Sequence, residues 1–327
     1  MDSHLRELIE AGDLNALLRA VDGLCASRSW DDLVELAGAC EEALERGKQL
    51  WPIAAHIDYR LALEGPAEYA AEVLTVDTGR FSHGPLTEVA ASTHTWEELA
   101  PHIETSQLAA YVAQERVLRS EVLTGDTRAH PEILELPLEL AAWEPGYSLA
   151  TYKPTFVEVS ETWEPKAPLA EAELRPGEEL IDPTLTDSLL EVVQPWTSES
   201  NGAARAVFVE GDAVAAASHL VLERLLIGPL EGAEAVQRLA WAAASGGAHG
   251  RRRGAAYGRF SSWYTTALLA GLEWPASPED LGAAIDDLRW YRFDEGDPEE
   301  GWVLRLVVED PTDGWAAAIA ATDLLTE

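Results

Sequence analysis

Nine prolines lie between residues 131 and 195 of this 327-residue chain, and they constrain its fold more than any other feature. Proline lacks a backbone N–H and clashes with the preceding helical turn, so no long helix can run through this stretch. Six large aromatic rings in residues 126–203, among them Trp143 and Trp163, argue against a disordered linker. We therefore expect residues 126–203 to form a Pro-rich acidic connector, packed on a neighbouring domain, with short strands near Leu134–Leu140 and Thr155–Val159.

Helix start and stop signals precede the prolines. Asp13 and Ser29 each stand before a run with apolar residues at helical spacing, and Gly47 ends the second run. Thr95 with a glutamate three residues later forms a capping box, in which each side chain satisfies the other's exposed amide. Short connections between helices favour antiparallel packing, so residues 1–125 are predicted to form a domain of helical-hairpin layers.

A faint repeat leaves two interpretations of this domain open. Ser29–Leu33 and Thr95–Leu99 share a cap, a tryptophan, two acids and a leucine, and they start 66 residues apart. Two periods of about 33 residues suit a solenoid of helical hairpins. The alternative is that this order of residues is simply a favourable helix start. Cys25 and Cys40 fall on apolar faces of successive helices and are predicted to be core residues.

The part after the prolines, residues 204–327, has the pattern of an α+β domain. Short apolar runs bounded by turn residues predict strands, and longer periodic runs predict helices. The expected elements are a strand at Ala206–Val209, a helix from Asp212 to near Gly228–Pro229, helices over 231–244 and through Trp263, a β-hairpin of Leu288–Phe293 and Trp302–Val308, and a final helix capped by Asp313. The predicted fold class is mainly α, with an α+β C-terminal part that contains a small β-hairpin or sheet.

The chain is strongly acidic, with 58 Asp and Glu against 23 Lys and Arg, and a net charge of −35. Direct binding to nucleic acid or to an anionic membrane is disfavoured, because both need a concentrated positive surface. A protein partner with a basic face fits this charge. Two other accounts are a GC-rich codon bias, since only three of the basic residues are lysine, and an acidic DNA mimic that inhibits a DNA-binding protein.

One basic segment stands out from this acidic background. The glycine-rich turn from Gly246 to Gly254 carries three consecutive arginines, and a fourth follows in the next helix. Backbone amides at a helix start and guanidinium groups together suit a phosphate or carboxylate. The candidate anion-binding residues are His249, Arg251, Arg252, Arg253 and Arg259. The alternative is that these arginines pair with carboxylates of the protein itself.

Part of this turn resembles a known cofactor-binding pattern. Arg251-x-x-Gly254-x-Ala256 is similar to the Arg/Gln-x-x-Gly-x-Gly/Ala motif of the acetyl-CoA-dependent N-acetyltransferases, the GNAT family. In that family the motif's amides hold the cofactor pyrophosphate at the start of a helix. The resemblance covers about six residues, and it departs from the family where a strand should precede the motif, because residues 231–244 read as a helix. An acyl-CoA-type transferase is the weakest form of the ligand-binding hypothesis.

Catalytic signatures are missing from the rest of the sequence. The eight histidines show no metal-binding spacing, and no nucleophile elbow, phosphate loop or dinucleotide fingerprint occurs. We therefore predict no metal and no cofactor, and name no catalytic residue. The best prediction is a soluble cytoplasmic interaction, scaffold or regulatory protein. The alternative is an enzyme or binding protein that uses the Gly246–Arg259 turn for an anionic ligand.

Overall fold

The backbone crosses three times between two separate units. This computed structural model describes residues 3–79, 81–159, 168–296 and 301–324. One unit contains Met1–Leu134 and Ala150–Val159, and the other contains Glu135–Leu149 and Ser160–Glu327. The Pro-rich segment 126–203 therefore gives residues to both units. Trp163, one of the rings that favoured an ordered connector, lies outside the described residues.

The first unit is helical, as predicted, and residues 3–79 and 81–134 contain no strand. Its helices are α1 (Ser3–Ala11), α2 (Leu14–Ser27), α3 (Trp30–Glu42), α4 (Trp51–Glu64), α5 (Ala67–Glu72), α6 (Leu86–Thr93), α7 (Trp96–Leu99), α8 (Ser106–Leu118) and α9 (Pro131–Leu134). Asp13 caps α2 by accepting the amide of Ala16, and Thr95 forms the complete capping box with Glu98. The two related motifs start elements of different length, since α3 has 13 residues and α7 has four.

Apolar side chains at helical spacing build the core of the first four helices. Leu17 and Val21 of α2 are fully buried, and Leu33 and Leu36 of α3 join them in one cluster. Cys25 and Cys40 lie in the same core, as predicted. Burial raises the pKa of both thiols to about 11, so they stay protonated and unreactive at neutral pH.

A small hairpin completes this unit. Its strands are β1 (Ala150–Tyr152) and β2 (Val157–Val159), which pair antiparallel. The Tyr152 hydroxyl donates to the buried carboxylate of Glu88 at 2.7 Å, and the Tyr59 hydroxyl donates to the Lys153 carbonyl at 2.5 Å. These two hydrogen bonds tie the hairpin to helices that precede it by more than 60 residues.

The second unit combines helices with a large sheet. Its helices are α10 (Pro183–Val192), α11 (Gln194–Ser198), α12 (Ala213–Ala217), α13 (Gly232–Ala244), α14 (Ala255–Leu269) and α15 (Pro278–Asp287). Its strands are β3 (Ala170–Ala172), β4 (Glu178–Glu179), β5 (Ala203–Glu210), β6 (Leu225–Leu230), β7 (Arg289–Asp294), β8 (Trp302–Asp310) and β9 (Trp315–Asp323). They form one antiparallel sheet in the order β3-β6-β7-β8-β9-β5-β4.

One short segment supplies both outer strands of this sheet, and this requires the sheet to curve. A flat sheet would place β3 and β4 about 29 Å apart, given roughly 4.8 Å between neighbouring strands. The six steps from Ala172 to Glu178 span at most about 20 Å of extended chain. The curvature therefore brings β6 and β5, the strands that pair with β3 and β4, toward each other.

Helices cover both faces of the curved sheet. On one face, Leu304 and Leu306 of β8 pack in a cluster with residues of α10, α11 and α13, including Trp196. On the other face, Val209 and Val307 pack with the short helix α12. Strands buried on both faces have continuous apolar runs rather than alternating ones.

That rule accounts for the largest error in the predicted elements. The final apolar run after Asp313 was expected to be a helix, but Trp315–Asp323 is strand β9, which pairs with β5 and β8. Four of its five alanines are buried, and they lie on both faces, so the run lacks the alternation that marks a half-exposed strand.

Two smaller predictions are also wrong, and one is confirmed. Asp212 does cap a helix, but α12 has only five residues, and the Gly228–Pro229 step lies inside strand β6. Leu134–Leu140 contains no strand. The predicted hairpin near the end is present as β7 and β8, which are antiparallel neighbours. No helix in the described part of the chain is both long enough and apolar enough to cross a membrane.

Candidate functional site

The arginine-rich turn connects α13 to α14, as the sequence predicted. The Arg253 amide donates to the Ala244 carbonyl at 2.8 Å and so closes the loop at its base. Gly254 has φ +91° and immediately precedes α14, and Gly247 has φ +73°. Left-handed backbone of this kind favours glycine, so the glycines of the turn have a conformational role.

The amides of the turn bind groups of the protein itself. The Ala248 amide donates to Oδ2 of Asp323 at 2.6 Å, and the His249 amide donates to the Ser200 hydroxyl at 3.1 Å. The Arg251 amide donates to the Glu199 carboxylate at 3.3 Å. These contacts fix the turn against the end of β9 and the segment between α11 and β5. The amides are therefore not free to form the anion cradle that the sequence suggested.

The arginines of the turn differ in how far they are used internally. Arg253 donates to Oε1 of Gln194 at 2.5 Å and to the Tyr257 hydroxyl at 3.2 Å, and its guanidinium lies 5.2 Å from the centre of the Tyr257 ring. Arg252 is half-buried, and it also interacts with another group of the protein. Arg251 and His249 are exposed, and no described residue pairs with their side chains.

Arg259 occupies a different environment from the other candidates. Its side chain is completely buried and forms a bidentate ion pair with Glu144, with N···O distances of 2.6 and 2.8 Å. The same guanidinium donates to the carbonyls of Pro137 and Glu139, and Glu144 also accepts from Trp263. The structure therefore does not bring Arg259 together with His249 and Arg251–Arg253.

Tyr147 belongs to the buried network around Glu144. Its hydroxyl donates to Oε2 of Glu144 at 2.5 Å. Burial, followed by the negative charge of Glu144, holds the Tyr147 pKa well above its usual value, so the hydroxyl keeps its proton. The geometry is that of a structural cluster that holds residues 135–147 against α14.

A second feature, which sequence reasoning missed, lies at the β4 edge of the sheet. β4 pairs with only two residues of β5, and the Leu180 amide then donates to the Phe208 carbonyl at 2.8 Å. Glu178 lies directly opposite Glu210 in this register. Both carboxylates are exposed, and neither pairs with a cation among the described residues. Like charges directly opposite each other destabilise a sheet, and no cation of the described residues offsets the repulsion between these two carboxylates.

The chain around β4 adds further negative charge. Residues 171–191 contain seven acids and one base, Arg175, and that base already pairs with Asp212 at 2.6 Å. Glu171 also has a cation partner, Arg224, at 3.5 Å. We call the exposed acids that remain the acidic edge, which consists of Glu173, Glu178, Glu179, Asp187, Glu191 and Glu210.

An exposed apolar side chain accompanies these acids. Ile181, two residues after β4, is 94 % exposed. The acidity of this segment was visible in the sequence, but its position at a sheet edge was not, since strand order depends on non-local pairing. Residues 3–79, 81–159, 168–296 and 301–324 contain no group of three or more potential metal ligands.

Comparison with known proteins adds a family but no activity. A family model described as "Family of unknown function (DUF6183)" matches residues 15–324. No curated protein and no solved structure matches the chain. The match includes residues of both units.

Proposed function

The chain belongs to the family of unknown function DUF6183, and we propose that it acts as an interaction protein that binds a partner with a basic surface. The observation that carries this proposal is the facing pair Glu178 and Glu210 at the sheet edge, which has no cation partner among the described residues. A lysine or arginine of a partner would relieve the repulsion between them.

Two further properties of this surface suit a protein partner. Four of the acids lie on β4 and α10, so the backbone that carries them is already ordered before a partner binds. Ile181 offers an apolar side chain within the charged surround, as in interfaces that combine an apolar centre with a polar rim. The net charge of −35 also favours fast association with a basic partner at low salt.

Affinity capture from the native host's lysate tests this proposal, with the full chain as bait and quantitative mass spectrometry as readout. The test variant carries Glu178→Gln, Glu179→Gln, Asp187→Asn and Glu191→Gln. The matched control carries Glu7→Gln, Glu41→Gln, Glu42→Gln and Glu45→Gln, which are exposed acids of the first unit. Both variants remove four charges, so they differ only in where the charge is lost.

We expect wild type and control to capture the same basic protein, and the edge variant to lose it. Capture should weaken as salt rises, because salt screens exposed charges. Equal losses in both variants would contradict the proposal, since net charge alone would then explain binding. Release of the partner by duplex DNA would identify the interaction as DNA mimicry.

The turn supports a second candidate, the binding of a small anionic ligand. Arg251 and His249 are exposed on a backbone that five hydrogen bonds hold in place. Beside Gly247, two fully buried side chains have polar atoms without a hydrogen-bond partner in the described structure, namely Oδ1 of Asp323 and Nε1 of Trp196. Thermal-shift measurements with inorganic phosphate, citrate and coenzyme A test this candidate. A shift that Arg251→Gln abolishes would support it, and no shift with any of the three would reject it.

A further inference from the structure

The two outer edges of the central sheet are covered to different extents. On the β6 edge, β3 pairs with residues 225–227, and the Pro168 carbonyl lies so close to Gly228 that a Cβ there would stand 2.7 Å away. On the β5 edge, pairing with β4 ends at Val209, and the Leu180 amide adds one bond to Phe208. The part of β5 from Ala203 to Val207 lies beyond this cover.

The hydrogen-bond phase of β5 shows which of its backbone groups face outward. In an antiparallel pair, residues alternate between bonding the neighbour on one side and bonding the neighbour on the other. Gly211 bonds Gly314 beside β9, and Phe208 bonds Leu180 on the opposite side. The even-numbered residues therefore direct their N–H and C=O groups away from β9, and in the uncovered part these are Ala204 and Ala206.

The backbone of this stretch is accessible and only partly protected, because α10 packs on one face of β5 and Arg205 is a charged residue on the edge. Ala203 and Arg205 are exposed, Ala204 and Ala206 are half-exposed, and no described residue bonds the outward backbone groups of the two even-numbered alanines. Natural sheets commonly block such edges with proline, lysine or a covering element. Residues 203–207 contain no proline or lysine, and Arg205 is their one charged residue.

We propose that β5 receives an extended, lysine- or arginine-bearing segment of the partner as an added strand along Ala203–Val207, continuing the row of β4. This inference rests on the proposed function and specifies how the partner binds. Strand addition satisfies the outward groups of Ala204 and Ala206, and side chains of the added segment supply specificity. A basic segment fits because acids flank this stretch: Glu178 and Glu210 lie opposite each other where β4 begins, and Arg205 is the one like charge on the stretch itself. A second copy of this chain fits poorly, since it would bring two molecules of charge −35 together.

Two synthetic peptides test the proposal with the full-length protein. The first has ten residues that alternate lysine and valine, and the second has the same lysines with two valines replaced by proline, which prevents strand pairing. We expect the alternating peptide to bind in a salt-dependent manner and to slow hydrogen exchange at the Ala204 and Ala206 amides by about tenfold or more. The proline-containing peptide should bind at least about tenfold more weakly.

The variant Ala206→Pro provides the matching change on the protein. Its missing N–H points away from β9, so the β5–β9 pairing keeps its hydrogen bonds, and circular dichroism should show a native spectrum. We expect it to lose the affinity for the alternating peptide. If this variant does not fold, hydrogen exchange on the wild-type protein still decides the question.

Each other outcome overturns the inference in a distinct way. Equal binding of both peptides with unchanged exchange at Ala204 and Ala206 would reject strand addition and leave charge-based partner binding intact. Absence of binding by either peptide would also reject this edge as the site, while the four-carboxylate variants separately decide the proposed function. A wild-type dimer in sedimentation that Ala206→Pro converts to monomer would identify a second copy as the occupant.

Discussion

Arg259 and Arg251 lie eight residues apart, and the structure gives them opposite environments. Arg259 is sealed in the interior, where it meets the carboxylate of Glu144 and two backbone carbonyls. Arg251 is exposed, and its side chain pairs with no described residue. Both were predicted to belong to one anion-binding site. Arginines that are close in sequence therefore need not form one site. Arg259 lies in α14 and points into the interior, whereas Arg251 lies in the turn before α14 and stays exposed.

The strongest test of this contrast is Arg259→Gln. The substitution leaves the buried carboxylate of Glu144 without its cation, and removal of one partner from a buried ion pair costs about 3–5 kcal/mol. In equilibrium urea unfolding of the full chain, the free energy of unfolding of the second unit should fall by this amount.

The same experiment contains its own check. Replacing Glu144 as well, in the double variant Arg259→Gln with Glu144→Gln, should recover part of the loss, because no uncompensated charge then remains in the interior. A loss below about 1 kcal/mol for the single variant would show that water reaches the pair and that the two arginines are not so different.

The next largest effect is expected at Gly247, which shapes the turn that carries Arg251. A Cβ at this position would overlap Oδ2 of Asp323 and would add to the cost of φ +73°. Gly271 is a matched control, since its φ is +66° and a Cβ there would meet no other atom within 4 Å. Gly271→Ala should cost about 1 kcal/mol, the strain of a left-handed alanine, and Gly247→Ala should cost about twice as much or more.

Differential scanning calorimetry of the two glycine variants gives this comparison directly. Equal shifts in the midpoint would mean that Asp323 moves aside at no cost and that the turn is not fixed by its contact with β9. A larger shift for Gly247→Ala would show that the contact between the turn and Asp323 stabilises the second unit.

Arg253 should fall between the two extremes. Its guanidinium bonds Gln194 and Tyr257, but both contacts are with neutral groups, and the side chain is only half-buried. The net contribution of a hydrogen bond is about 0.5–1.5 kcal/mol, and Arg253 makes two, so Arg253→Gln should cost about 1–3 kcal/mol. Thermal unfolding of Arg253→Gln and Arg259→Gln under the same conditions compares their losses of stability. Equal losses would contradict the expectation that the arginines matter less for stability in the turn than in the core.

Local signals in the sequence predicted the helical part of the molecule well. The caps at Asp13 and Thr95 depend only on residues three positions apart, and the helical run that starts with α3 ends at Arg46, just before the predicted stop at Gly47. The β7–β8 hairpin was also found, because its two strands are neighbours in the chain. These features require no knowledge of distant contacts.

What could not be predicted depends on distant contacts. The run of alanines in β9 is consistent with either a helix or a strand, and pairing with β5 and β8 decides between them. Glu144 lies 115 residues from Arg259, so their ion pair has no signature in either local sequence. The open edge of β5 likewise exists only once the strand order is known.

The smallest effect is expected for Arg251→Gln, and it tests the exposed side of the comparison. Its amide hydrogen bond to Glu199 comes from the backbone, so it survives any change of side chain. No described carboxylate pairs with the guanidinium, and surface substitutions of this kind change stability by less than about 0.5 kcal/mol. Urea unfolding should therefore barely distinguish this variant from wild type. A loss above about 1 kcal/mol would show that Arg251 has an internal partner in solution, and the turn would then be a second structural cluster like that of Arg259. An unchanged midpoint leaves Arg251 as a side chain that the fold can lose, and any defect of the variant in ligand binding can then be attributed to direct contact.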